Sequence, residues 1–125
     1  MKLESSPDQR RHLILLRYSS GATPPTSEEM KTIMARFDQW MRGLYDQGRV
    51  AETHGLEFTG KVLRGPISQT TITDGPFAEG KEVVGGYVLL NPSTLEEAVT
   101  IARACPGLDY HMIVEVRPAK SRPNT

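Results

Sequence analysis

The side chains with the most capacity for chemistry follow one another in the turn Asp74-Gly75-Pro76-Phe77-Ala78-Glu79 and continue to Lys81. An ordinary turn uses Gly, Pro or Asp for backbone reasons, but it does not also need an aromatic ring, a second acid and a lysine. A carboxylate at a strand end that faces a cleft can act as a base or hold a ligand. Asp74 is therefore a candidate catalytic and ligand-binding residue, and its candidate ligand-binding neighbours are Phe77, Glu79 and Lys81.

The same residues also have purely structural interpretations. The carboxylate of Asp74 can accept hydrogen bonds from the backbone amides of its own turn, while Gly75 and Pro76 supply the backbone angles. Phe77 can pin the loop to the core, form one wall of a pocket, or do both. The charges that follow can be a solvated run or a polar cluster with Asp74.

Histidine and arginine supply two further candidates. His54 precedes Gly55 in a predicted turn, and it is the histidine we consider as a catalytic acid or base. Arg17, at the end of the first predicted strand, is a candidate ligand-binding residue because a guanidinium can bind an anionic substrate through two hydrogen bonds. It is equally well explained as a charge at the edge of a sheet.

The composition limits the class of protein. With 125 residues the chain is long enough for one domain with a single core, and its 15 basic and 15 acidic residues give a net charge of zero. That balance argues against nucleic acid or a membrane surface as a partner, because both kinds of binding draw on excess positive charge. The single cysteine, Cys105, excludes an internal disulfide, and we expect it to be buried and inert.

Neither a metal nor a cofactor is expected. The histidines do not have the spacing of a metal-binding pair, and no glycine-rich dinucleotide pattern or P-loop opens a helix. No apolar run reaches the roughly 18 residues of a membrane span, and the first residues lack the layout of a secretory signal. We therefore expect a cytoplasmic protein with one domain at residues 12–118 and flexible tails at 1–11 and 119–125.

Two helices are predicted within this domain. The first begins with the capping-box pair Thr26 and Glu29 and ends at Gly48, and the second begins with Ser93 and Glu96. Apolar residues at helical spacing predict one buried stripe on the first helix, formed by Met30, Ile33, Met34, Phe37, Met41 and Leu44. On the second helix the predicted buried residues are Leu95, Ala98, Val99 and Ala102.

Strands fill the remainder of the domain. The continuous apolar run at residues 13–16 predicts a central strand over residues 12–18, and short strands around residue 65 predict a hairpin. Gly85-Gly86 predicts a bulge or a close backbone contact ahead of the strand that follows. The other expected strands cover residues 49–53, 56–63, 68–73, 86–90 and 110–116, with His54-Gly55 interrupting the first two.

The order of these elements predicts an α+β fold. Two helices on one face of an antiparallel sheet, in a split βαβ arrangement, form the ferredoxin-like architecture, which leaves the other sheet face uncovered. The runs at residues 13–16 and 87–90 are nearly all apolar, so both faces of their strands are expected to be buried. A second copy of the chain is the simplest cover, and we therefore expect a homodimer.

The turn at Asp74 also resembles the signature of the DGPF branch of the YCII-related proteins. The similarity covers roughly residues 13–117 and includes Gly48-Arg49-Val50, Gly85-Gly86-Tyr87 and the closing Glu115-Val116-Arg117-Pro118. It implies a ferredoxin-like barrel formed by dimerisation and a cleft near the Asp74 turn. The broader family resembles lactone isomerases and dehalogenases of aromatic-acid breakdown, some with a histidine in the first helix that works with an aspartate. Here residues 27–47 contain no histidine.

Three hypotheses for the function follow, and whether the protein is an enzyme stays open. The preferred hypothesis is a homodimer that binds a small organic ligand in a cleft near Asp74, Phe77 and Lys81. The alternative is an isomerase or lyase that acts on a lactone or an aromatic-acid-derived metabolite, with Asp74 or His54 as the acid or base. The third, an accessory protein of a sigma-factor-type transcription regulator, comes from the family resemblance alone.

Overall fold

The computed structural model describes residues 9–19, 23–75 and 82–120. The chain forms an α+β fold with two helices and six strands in this described part. The helices are α1 (Ser27–Asp46) and α2 (Leu95–Arg103), and short 3-10 helices lie at Ile67–Gln69 and Pro106–Tyr110. The strands are β1 (His12–Ser19), β2 (Val50–Gly55), β3 (Lys61–Arg64), β4 (Thr71–Asp74), β5 (Glu82–Leu90) and β6 (Ile113–Pro118).

Four of the strands form one antiparallel sheet in the order β2-β5-β1-β6. This is the strand order of the ferredoxin-like fold, so the predicted fold class is confirmed. The strands β3 and β4 pair only with each other and form a separate hairpin between β2 and β5. β1 is central, as its continuous apolar run predicts.

The core lies between the helices and one face of this sheet. Ile14, Val88 and Leu90 point toward the helices from β1 and β5, and each is at most 1% exposed. Ala98 and Ala102 of α2 pack against them, because small side chains let the helix backbone approach the sheet closely. Since side chains alternate along a strand, the intervening residues lie on the opposite face, which we call the open face.

The helix α1 packs on the sheet through its C-terminal half. Its predicted capping box is confirmed, because the Thr26 hydroxyl accepts from the Glu29 amide at 3.1 Å and the Glu29 carboxylate accepts from the Thr26 amide at 2.7 Å. Leu44 is buried near the C-terminus, whereas Met30 and Met34 are 43% and 60% exposed. The prediction that these two methionines belong to the core is therefore wrong: the N-terminal half of the helix stands away from the sheet.

The helix α2 starts one residue later than the sequence pattern predicts. Thr94 and Glu97 form the capping box instead of Ser93 and Glu96. Ser93 is buried, and its backbone pairs with that of Arg10 through two hydrogen bonds of 3.0 Å. Because Ser93 is held against the start of the sheet, the next hydroxyl along the chain caps the helix.

Several strand boundaries also differ from the prediction: β3 begins at Lys61 instead of residue 56, and β5 begins at Glu82 instead of residue 86. His54 and Gly55 belong to β2 and pair with Tyr87 and Gly86, so they do not interrupt the strand. The last strand begins at residue 113 instead of 110, because the chain forms a 3-10 helix at Pro106–Tyr110 and residue 111 then takes the left-handed conformation, with φ 67°.

The predicted irregularity at Gly85-Gly86 is a bulge. Leu16 pairs with Gly86 and Arg17 pairs with Val84, so Gly85 is the additional residue of β5. The ring of Tyr18 occupies the space above it: an added Cβ on Gly85 would lie 1.8 Å from Cε2 of Tyr18. Burial of this ring also raises the pKa of the Tyr18 hydroxyl.

The substitution Gly85→Ala is expected to lower the free energy of unfolding by about 1–3 kcal/mol, because the new methyl group must displace the Tyr18 ring. Urea denaturation measures this change. The double variant with Tyr18→Ala should lose much less than the sum of the two single variants. Gly43→Ala in α1 is the control: an added Cβ there has no atom within 4 Å, and we expect stabilisation of about 0.5–1 kcal/mol. A Gly85→Ala protein as stable as its parent would contradict the assigned place of Tyr18.

Candidate functional site

A large groove lies between the N-terminal half of α1 and the helix-facing side of the sheet. Its cavity volume is about 1150 Å³. It exists because α1 contacts the sheet closely only near its C-terminal end, so Met30 and Met34 overhang open space. The groove is further lined by Leu16, Tyr18 and Ser19 of β1, by residues 53–55 of β2 and 85–88 of β5, and by the segment 109–112.

Aromatic rings and methionines form most of the groove wall. Tyr18 and Phe58 meet edge to face with ring centroids 5.6 Å apart, and Phe37 and Trp40 do so at 6.2 Å. Trp40 is fixed in addition by a hydrogen bond from its indole nitrogen to the backbone oxygen of Ile101 at 3.3 Å. These contacts hold the rings in place, so the apolar surface of the groove is largely preformed.

The charged side chains of the groove lie at its exposed rim. Asp109 accepts a hydrogen bond from Arg36 at 2.8 Å, and Tyr110 accepts a second one from the same guanidinium at 3.1 Å. These two bonds raise the pKa of Arg36. Glu29 also lines the groove, and it carries its negative charge at the first turn of α1. The polar rim and apolar wall together suit an amphiphilic organic molecule.

His54 belongs to a different surface. It pairs with Tyr87, which itself pairs with Leu15, so its side chain lies on the open face. The rings of His54 and Tyr87 are 5.9 Å apart, and the Tyr87 hydroxyl donates a hydrogen bond to Glu52. That bond raises the pKa of Tyr87, because it stabilises the protonated phenol. His54 nevertheless borders the groove from β2, together with Thr53 and Gly55.

Arg17 lies on the open face as well. It forms an ion pair with Glu115, which belongs to the neighbouring strand β6. The predicted site residues Arg17 and His54 therefore share the open face of the sheet, on the two strands that flank β5. Arg17 is paired with Glu115, and the ring of His54 lies next to that of Tyr87.

Asp74 lies at the end of β4 on the separate hairpin. Its side chain is 88% exposed and accepts a hydrogen bond from Lys61 at 2.6 Å, across the hairpin. Both residues line a small depression of about 520 Å³, and Phe58 lines this depression and the large groove. The turn is thus connected to the groove through one aromatic ring. The other predicted site residues, Phe77, Glu79 and Lys81, lie outside the described residues.

The sequence pattern does not reveal the groove, because the α1 residues that line it fit a helical stripe that predicts burial in the core. A signal was nevertheless present in the methionines at positions 30, 34 and 41. Methionine is common at adaptable binding surfaces, since its unbranched side chain and soft sulfur fit many shapes.

Neither a metal cluster nor a membrane-spanning helix is found within residues 9–19, 23–75 and 82–120. No group of three or more His, Cys, Asp or Glu side chains in these ranges could hold a metal ion. Neither helix in them is both long and apolar enough to cross a membrane.

Comparison with known proteins connects this fold to one family. The model of the YCII-related domain matches residues 11–120, which span every element from β1 to β6. The chain is also similar to an uncharacterized protein of Rhizobium meliloti (strain 1021), with 31% identity over 80 residues. That similarity covers 62% of this chain and 64% of the relative. The family resemblance carried by the Asp74 turn is thereby confirmed.

The substitution Asp74→Asn is expected to change the free energy of unfolding by less than about 1 kcal/mol, because the ion pair with Lys61 is exposed to solvent. Urea denaturation at low salt and at 1 M NaCl measures the change, and the high salt should remove most of it. Lys61→Met is the matched variant and should have the same small effect. A loss above about 2 kcal/mol for Asp74→Asn alone would mean that the carboxylate is required for folding.

Proposed function

Because the chain belongs to the YCII-related domain family, we propose that it binds a small organic molecule in the groove between α1 and the sheet. The large apolar side chains at this groove carry the proposal. Met30, Met34 and Phe58 are between 43% and 60% exposed and lie along the same groove, and a contiguous exposed apolar patch is typical of a binding surface. A bound molecule would cover them.

The size and composition of the groove support this proposal. Ligand pockets commonly measure about 300–1000 Å³ and combine apolar walls with a few polar groups. A volume of about 1150 Å³ is therefore sufficient for a ligand of metabolite size. The site differs in place from the cleft expected at Asp74, but Phe58 joins the two.

Binding of the neutral dye N-phenyl-1-naphthylamine tests the groove, since its fluorescence rises in apolar surroundings. The substitution Met34→Lys should weaken binding at least tenfold, because the ligand would have to desolvate an ammonium group. Leu63→Lys is the matched control: Leu63 is also 60% exposed but lies on the hairpin strand β3, and its replacement should leave the affinity unchanged. Equal affinity of both variants and the parent would contradict a site in the groove.

We further propose that the protein is a homodimer through the open face. Leu13 and Leu89 face each other across β1 and β5 on this side of the sheet, and Leu15 is their neighbour. Apolar residues on both faces of a strand are typical of a sheet that is covered on both sides, and the helices cover only one. An isologous contact with a second copy would bury the remaining face.

Sedimentation velocity at micromolar protein tests the dimer. The parent protein should sediment as a dimer, and Leu15→Arg should shift it to a monomer, because the interface would have to bury an unpaired charge. The control is Met34→Lys, on the helix side, which should remain dimeric. A monomeric parent would overturn the proposal directly.

A further inference from the structure

The charged groups described at the rim of the groove carry a net negative charge. Glu29 contributes one negative charge, and Asp109 contributes another that Arg36 offsets through their hydrogen bond. The positive end of the α1 dipole, equivalent to about half an elementary charge, lies at the same place. The full negative charge of Glu29 outweighs it, so the described rim is negative.

The wall of the groove also favours a positively charged ligand. The faces of aromatic rings attract cations, and Tyr18, Phe37, Trp40 and Phe58 contribute such rings. The structure already contains one example at the rim, where the Arg36 guanidinium carbon lies 5.4 Å from the centroid of the Tyr110 ring.

We propose that the groove binds a hydrophobic organic cation, meaning a protonated or quaternary amine on an aromatic or alicyclic body, in preference to a carboxylate. This inference depends on the proposed function, because it names the ligand class of the same groove. The apolar body lies against Met30, Met34 and the rings, and the ammonium group lies toward Glu29. The aromatic acids that the family resemblance suggests are bound less well, since their carboxylate meets the carboxylate of Glu29.

Glu29 allows a clean test because its two roles can be separated. Its carboxylate caps α1 by accepting from the Thr26 amide, and glutamine can accept the same bond. Glu29→Gln therefore removes the charge and keeps the helix start. Glu28 is the matched control, since it belongs to the same helical turn but does not border the groove as described.

The experiment measures the Kd of three probes with the same apolar body by isothermal titration calorimetry at pH 8, where histidine is ordinarily neutral. The probes are 1-naphthylmethylammonium, 1-naphthylmethanol and 1-naphthoate. We expect the ammonium compound to bind about fivefold or more tightly than the carboxylate, with the alcohol between them. The substitution Glu29→Gln should weaken the ammonium compound about twofold to fivefold and leave the alcohol unchanged, whereas Glu28→Gln should alter neither.

Each outcome has one meaning. If the alcohol and the ammonium compound both fail to bind, the groove is not a site for small organic molecules and the proposed function fails. If all three bind equally, or the carboxylate binds most tightly, the groove is a binding site but the inferred charge preference is wrong. If the ammonium compound is preferred and Glu28→Gln has the same effect as Glu29→Gln, the contact assigned to Glu29 is wrong.

Discussion

The contact between α1 and the segment Pro106–Tyr110 is the constraint on which the groove depends. Gly107 packs so closely that an added Cβ would lie 2.6 Å from the sulfur of Met112 and 3.3 Å from the ring of Phe37. Next to it, Arg36 binds both Asp109 and Tyr110. The segment thus fixes the middle of α1 from one side, and the hydrogen bond from Trp40 to Ile101 fixes it from α2. Beyond these contacts, the N-terminal half of the helix meets the groove and not the core.

The fold could be predicted because local and global preferences agree at several points. The continuous apolarity of residues 13–16 identifies a central strand, and Thr26 with Glu29 identifies the start of α1. The pair Gly85-Gly86 identifies a bulge. In each case the residues that define the feature are neighbours in sequence, so nothing beyond the sequence was needed.

The site could not be predicted in the same way, because it depends on which part of α1 packs against the sheet and which part borders open space. Periodicity places Met30 and Met34 on the same stripe as Leu44, but only packing decides that the first two border a groove and the third is buried. The same limit explains Ser93, whose hydroxyl has the spacing of a cap but is buried against the start of the sheet. At Asp74, the sequence could not indicate Lys61 as the partner, because the pair forms across the hairpin register.

The separate hairpin has a consequence for how this protein can change over evolutionary time. Gly55 at the end of β2 pairs with Gly86 in β5, and β5 begins four residues earlier at Glu82, so the chain leaves the sheet and returns to it on neighbouring strands. A short turn would join these strands equally well. The longer connection lowers the free energy of unfolding by only roughly 2 kcal/mol, since each doubling of loop length costs about 0.6 kcal/mol of loop-closure entropy. The sheet therefore sets little limit on the length of this connection, and an insertion or deletion in the hairpin can be accommodated without a change in the pairing of β2 with β5.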